Sequence, residues 1–261
     1  MTSRLLMPVR SRGAGRPAAP EPAADPAPGS TRPTAILDHG HPLVAAFTAR
    51  VRREAGTRGD GSGRELLRTA HRLLVAEVRP VYSVEDRRRA SRTLRLGRGS
   101  CSQRMAVLEA VARALGTETR VRGLLVDGSF WYPRFPRLRP FVPAEVLLAW
   151  PEFRLDGVWV PIAGLFDHGG PAGDAGDGVG AFANTGAETL FEAVARTGVD
   201  WDAPAACDGA SGACDLSAHL RTDLGRFTSR DELFARYGQT LCRPARTLAE
   251  PVLGRWSAGA A

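Results

Sequence analysis

Apolar residues fall into helical and strand periods from about residue 34 onward and show no period before it. "HPLVAAFTARVRREAG" sets Leu43, Phe47 and Val51 at i, i+4 and i+8, which predicts a helix. "RELLRTAHRLLVAEVRP" repeats the spacing with Leu66, Ala70, Leu73 and Leu74, and Pro80 closes it. "SVEDRRRASRTLRLG" predicts a shorter third helix, with Ser83 as N-cap and acidic residues in its first turn. Gly97 and Gly99 then break the chain. After Ser100, a stripe of Cys101, Met105, Leu108, Ala112 and Leu115 predicts an amphipathic helix with Gly116 just past its end.

Strand signals follow. Thr119 to Val126 alternates enough for a strand, whereas "FWYPRFPRLRPFVP" carries too much proline for anything but a loop. "AEVLLAWPEFRLDGVWVPI" reads as two strands hinged at Asp156-Gly157, a strong hairpin signal, with Pro151 marking the first as an edge or a bulge. Gly164 to Gly186 reads as loop, and helices are expected at about 187–197, 229–237 and 244–255. An irregular stretch holding Cys207 and Cys214 separates the first two of these. The pattern therefore predicts an α+β fold in three parts. These are a Pro/Ala/Gly-rich disordered tail over 1–33, a domain over 34–186, and a helical C-terminal extension over 187–261 packed on it.

Composition changes this picture little. Hydrophobic residues make up 43% and charged residues 24%, ordinary values for a globular chain. The net charge of +7 is carried by arginine alone, without lysine. That suits an acidic partner, but the arginines are scattered and the run Arg87-Arg88-Arg89 lacks stacking aromatics, so a solvated basic surface is favoured over nucleic-acid binding. No apolar run reaches the roughly 18 residues of a membrane span, and the apolar patch Leu5 to Val9 is too short for a secretory signal. A cytoplasmic protein with reduced thiols and no membrane partner is expected.

The chemistry centres on "GRGSCSQRMAVLEAVARALG". A cysteine in the first turn of a helix has its thiolate favoured by the dipole, and unpaired N–H groups there can hold an oxyanion. Glycines before it permit a sharp turn and close approach of a substrate carbonyl. Acyl transfer needs in addition a base and a group that orients it.

The run from about Ala90 to Ile162 resembles the transglutaminase-like superfamily, a branch of the papain-like cysteine fold. "ASRTLRLGRGSCSQRMAVLEAVARALGTETRVRGLLV" matches that family's Gly-x-Cys, helix and Ala-Arg-Val strand. "LLAWPEFRLDGVWVPIAG" matches its His-Ala-Trp-x-Glu and Trp-x-x-x-Asp framework through Ala149, Trp150, Glu152 and Trp159. The resemblance implies a Cys-bearing helix packed on a small antiparallel sheet, with Cys101 as nucleophile of a Cys-His-Asp triad. The histidine position, however, falls on Leu148 and the aspartate position on Ala163. Two readings stand: a divergent cysteine-dependent acyltransferase or amidase working through a Cys101 thioester on a peptide, protein or acyl substrate, and a degenerate scaffold kept as a binding module.

Substitutes for the missing base are few. His168, beside Asp167 in a glycine-rich loop, is the candidate base, set against an ordinary exposed loop histidine. Glu152 shares strand parity with Leu148 and Trp150, while Glu145 points the other way. His71 reads as a satisfied helix histidine, and His39 and His41 flank a helix start. Trp150, Gln103, Arg122 and Trp131 are candidate substrate contacts. For Gln103 and Ser102, helix capping is the favoured alternative to an oxyanion role. Arg120, Arg122, Arg134, Arg137 and Arg139, among aromatics, suit recognition of a carboxylate, phosphate or peptide, or simple packing over a flap. Cys207, Cys214 and His219 lack zinc spacing and a fourth ligand, and "GDAGDGVG" lacks a calcium loop's ligand pattern, so neither metal nor cofactor is expected.

Overall fold

The computed structural model describes residues 27–57, 61–166, 182, 184, 186–199, 201–202 and 216–258. The helix periods become α1 (Pro42–Gly56), α2 (Gly63–Glu77) and, after the cysteine turn, α4 (Cys101–Ala114). In α1 the buried stripe runs through Val44, Phe47, Thr48, Val51 and Ala55, and Leu43 is turned outward. The third helix is shorter than expected: α3 covers only Ala90–Leu96 and Ser83 does not cap it. The backbone N–H of Val84 is instead taken by Glu250, and that of Asp86 by Gln239, partners from far down the chain, so residues 83–89 stay irregular.

The sheet is antiparallel, with order β5-β4-β3-β6: β3 (Thr119–Asp127), β4 (Glu145–Leu155), β5 (Val158–Pro161) and β6 (Leu220–Phe227). The β4–β5 hairpin turns at Asp156 and Gly157, both at positive φ, as the Asp-Gly signal requires. Contrary to the edge expectation, β4 is an inner strand. Pro151 is tolerated because the β5 ladder ends at Glu152↔Pro161, so a missing N–H there costs β5 nothing. β6 was not expected as a strand. It is rich in polar residues, and its left-handed Gly225 lies where the β3–β6 register shifts, so it shows no clean alternation. The C-terminal segment is thus part of the sheet as well as helical, through α5 (Leu190–Ala193), α6 (Arg230–Tyr237) and α7 (Arg243–Leu253). Backbone pairing also reaches back to Ser30, which bridges Thr119. Two-residue parallel strands β1 (Arg79–Pro80) and β2 (Arg98–Gly99) bring the ends of α2 and α3 together.

The α4 helix lies at the centre. It packs on α1, α2, α3, β3 and β4, and every residue from Gln103 to Arg113 is buried. The expected polar face is therefore inside, and each charge finds a partner. Arg104 pairs with Glu192. Arg113 donates to the Thr119 hydroxyl at 2.8 Å and to the Thr228 carbonyl at 2.7 Å. Glu109 meets Arg230 of α6, and neither side chain has any solvent exposure. The same guanidinium donates to Ser102 Oγ at 3.1 Å and to the Ala149 carbonyl at 3.1 Å. Burial pushes the Glu109 carboxyl up, against the pull of Arg230 and Arg113. Removing one member of such a pair strands a charge and costs about 3–5 kcal/mol, whereas replacing both with apolar side chains is often near neutral. Arg230→Met should therefore lower the urea midpoint strongly, and the Arg230→Met/Glu109→Leu double variant should recover most of the loss. Equal midpoints for the wild type and the single variant would contradict this.

His71 is buried, stacks on Phe191, and donates from Nε2 to the Phe191 carbonyl at 2.6 Å. Burial lowers its pKa from 6.5 to about 4. The folded state thus holds the ring neutral while the unfolded state protonates it. This stabilisation is complete above pH 6.5 and is lost as pH falls through about 4, on the order of 3 kcal/mol. Relative to wild type, His71→Gln should show a shallower loss of stability between pH 7 and 4.5 in chemical denaturation. Parallel curves would exclude a neutral His71.

Candidate active site

Cys101 is the first residue of α4 and is half-buried. Ser100 caps the helix, accepting from the Gln103 N–H, and the Gln103 side chain returns the bond by accepting from the Ser100 N–H at 3.0 Å. The Gln103 amide is fully engaged, donating at 2.7 Å to Ser83 Oγ and at 2.7 Å to the Glu85 carbonyl. Gln103 is thus held as a cap and a strut, turned away from the cavity that Cys101 faces. Gly97 ends α3 in the left-handed region, at φ 56°. Gly99 serves packing rather than substrate approach: a Cβ there would meet the Thr93 methyl at 2.8 Å. The backbone N–H groups of Cys101 and Ser102 have no acceptor among the described residues, as expected of a helix start.

Cys101 opens onto a cavity of about 280 Å³. Its walls come from the segment after β1 (Tyr82), the proline-rich loop (Trp131, Phe135, Phe141), the start of β4 (Leu147, Leu148) and the end of α7 (Leu253). Leu148, which the sequence resemblance sets against the family's histidine, lines the same space as Cys101. Ala163, which it sets against the aspartate, is buried in the turn after β5. The side chain that β4 brings to the cavity of Cys101 at position 148 is a hydrocarbon.

The other expected contacts separate. Trp131 lines the cavity. Trp150 is fully buried and packs edge-on against Trp201, at 5.3 Å between ring centres. Arg122 is bonded to Asp202 and Asp223, which hold it strongly protonated. Glu152 joins Arg120 and Arg226. Arg134 lines the cavity, but its guanidinium is spent on Asn184 and the carbonyls of Glu188 and Ala258. Asp167, His168, Cys207 and Cys214 lie outside the described residues. Among the described residues, no group of His, Cys, Asp and Glu is placed to hold a metal ion, and no helix is long and apolar enough to cross a membrane.

One titratable side chain on the cavity wall escaped the sequence reading. Asp86 lines the same space as Ser100, Cys101 and Ser102. It is brought there by the irregular 83–89 segment, whose Glu85 carbonyl is clamped onto Gln103 of the cysteine helix. Its Oδ2 accepts from the Thr240 N–H at 3.3 Å. Burial raises its pKa from 3.8 to about 7, with Glu85 adding to the rise and Arg230 opposing it. A carboxyl poised near neutrality on the wall of the same cavity as a thiol has the proton affinity that a general base needs. Sequence reading placed Asp86 in a helical first turn, where an acidic residue needs no further explanation.

Comparison with known proteins gives one match. The family model described as Transglutaminase-like superfamily covers residues 53–163, from the last turn of α1 to Ala163. No curated protein and no solved structure matches the chain. The Gly-x-Cys turn, the buried helix behind it and the β3–β4–β5 meander all lie within the span, residues 53–163, that matches the transglutaminase-like superfamily.

Proposed function

We propose that the protein is a divergent member of this superfamily that uses Cys101 for acyl transfer or hydrolysis through a thioester. The observation that carries this reading is the position of Cys101, on a cavity wall at a helix start whose first N–H groups are unclaimed by any described residue. Such N–H groups stabilise the negative oxygen that develops when a thiolate attacks a carbonyl. Asp86 takes the place of the missing imidazole. A carboxylate with a pKa of about 7 accepts the proton of an ordinary thiol, pKa ~8.5, far more readily than a carboxylate near 4 does. It then returns that proton to the leaving group. Arg230 holds the arrangement together, since it bonds Ser102 beside the nucleophile and the Ala149 carbonyl beside Leu148.

A second reading is supported by Leu148 and Ala163, apolar and buried where the family's base and its orienting carboxylate stand. In that reading the cavity binds a ligand and no bond is made.

Two measurements test the first reading. Iodoacetamide near pH 6.5 should label Cys101 at least about tenfold faster than Cys242, the other described free thiol. Equal, slow labelling would refute an activated thiol. With an activated ester, Cys101→Ser should abolish acylation, by at least about 10³-fold. The wild-type rate should rise with pH through about 7, as Asp86 loses its proton, and then level. Asp86→Asn should lower the plateau about 10²-fold and remove that rise. A profile unchanged in Asp86→Asn would dismiss Asp86 as the acceptor. No acylation by the wild type, with ligand binding kept in both the wild type and Cys101→Ser, would favour the binding module.

A further inference from the structure

We infer that the cavity at Cys101 is built for an apolar acyl group of about eight to twelve carbon atoms, presented as an ester or thioester with its carbonyl at the Cys101 sulfur. The size follows from volume: a cavity of roughly 150 Å³ holds one benzene, and this one has about 280 Å³. The chemistry follows from the walls. Aromatic rings from Tyr82, Trp131, Phe135 and Phe141 face aliphatic side chains from β4 and α7. The polar side chains that reach the cavity are mostly committed elsewhere. Arg134 is spent on Asn184 and two carbonyls, and Asn184 in turn donates to the Phe130 carbonyl at 2.8 Å. Ser83 donates to Glu250 at 2.8 Å while accepting from Arg88 and Gln103.

This argues against the arginine-rich loop as a reader of carboxylates, phosphates or polar peptides at this site. Arg120 and Arg122 are likewise paired with carboxylates, and Arg139 lies over the Tyr132 ring. An apolar pocket of this size, open on one side, leaves its wall side chains without the partners that a purely structural core would give them. At the rim, Phe141 is 60% exposed and Leu138 38%, an apolar lip through which a chain can enter. Leu148 lines the same cavity as Cys101, so the residue that the resemblance sets against the family's base adds to the hydrocarbon surface.

The step balances without a further reactant. The Cys101 thiol gives its proton to the Asp86 carboxylate as sulfur bonds to the acyl carbon. The bond from that carbon to the alcohol or thiol leaving group breaks, and the leaving group takes the proton. Water or an amine then attacks the thioester, releasing the acid or amide and restoring the thiol.

This inference rests on the Cys101 reading for its chemistry but not for its occupant, and the test separates the two. Acylation of the full chain would be followed with p-nitrophenyl acetate, butyrate and octanoate below their micelle concentrations. Binding of octanamide, an uncharged probe, to Cys101→Ser would be measured by calorimetry. Because each buried methylene is worth about 0.8 kcal/mol, kcat/KM should rise roughly fourfold per methylene from acetyl to octanoyl, and octanamide should bind. Leu148→Gln should flatten the chain-length dependence. Leu138→Glu, at the half-exposed lip, should lower the ratio of octanoyl to acetyl transfer at least about tenfold, a ratio that a smaller fraction of folded protein does not change. A rate independent of chain length together with no octanamide binding would overturn the apolar assignment while leaving Cys101 catalysis standing. Octanamide binding without acylation by any ester would support the apolar occupant and reject Cys101 catalysis.

Discussion

The arrangement turns on one guanidinium sealed inside the protein. Arg230 reaches from the start of α6 to Glu109 in the middle of α4, to Ser102 one residue past the cysteine, and to the Ala149 carbonyl in β4. A buried ion pair contributes little net stability, because desolvation of both charges offsets their attraction. Its geometric effect is larger: an orphaned charge in the interior is so costly that the three elements are confined to the one relative placement that keeps it satisfied. The first turn of α4 and strand β4 are held together by a residue about 130 positions away in sequence.

A second set of bonds fixes the other wall. Gln103 caps its own helix and grips Ser83 and the Glu85 carbonyl, while Glu250 of α7 holds Ser83, Val84 and Arg88. Segments from three parts of the chain thereby meet at the first turn of α4. Asp86 rides on this framework, and its raised affinity for a proton is a product of that enclosure.

Local signals carried the parts of the fold whose cause is local. The Ser100–Gln103 cap, the Asp156-Gly157 turn and the helix stop at Gly116 each depend on residues within a few positions, and each was legible. So was the resemblance to the superfamily, whose model matches residues 53–163. Three features were hidden because their causes are distant. β6 is a strand because β3 offers it a partner, in spite of its polar residues and its left-handed glycine. Residues 83–89 stay out of a helix because Glu250 and Gln239 claim their N–H groups. Glu109 and Arg113 look like a solvent face until their partners arrive from outside the helix. Asp86 was overlooked for the same reason, since its significance lies in its neighbours.

The pairing of β3 with β6 bears on where this protein can be cut. The segment shared with the superfamily stops at Ala163, well before β6 begins. A fragment trimmed to that segment would leave the whole of one side of β3 without its ladder partner, and α4 without the guanidinium that neutralises its core carboxylate. Open backbone of that kind recruits other chains. The matched segment therefore keeps a paired β3 and a compensated core carboxylate only while the C-terminal residues stay attached.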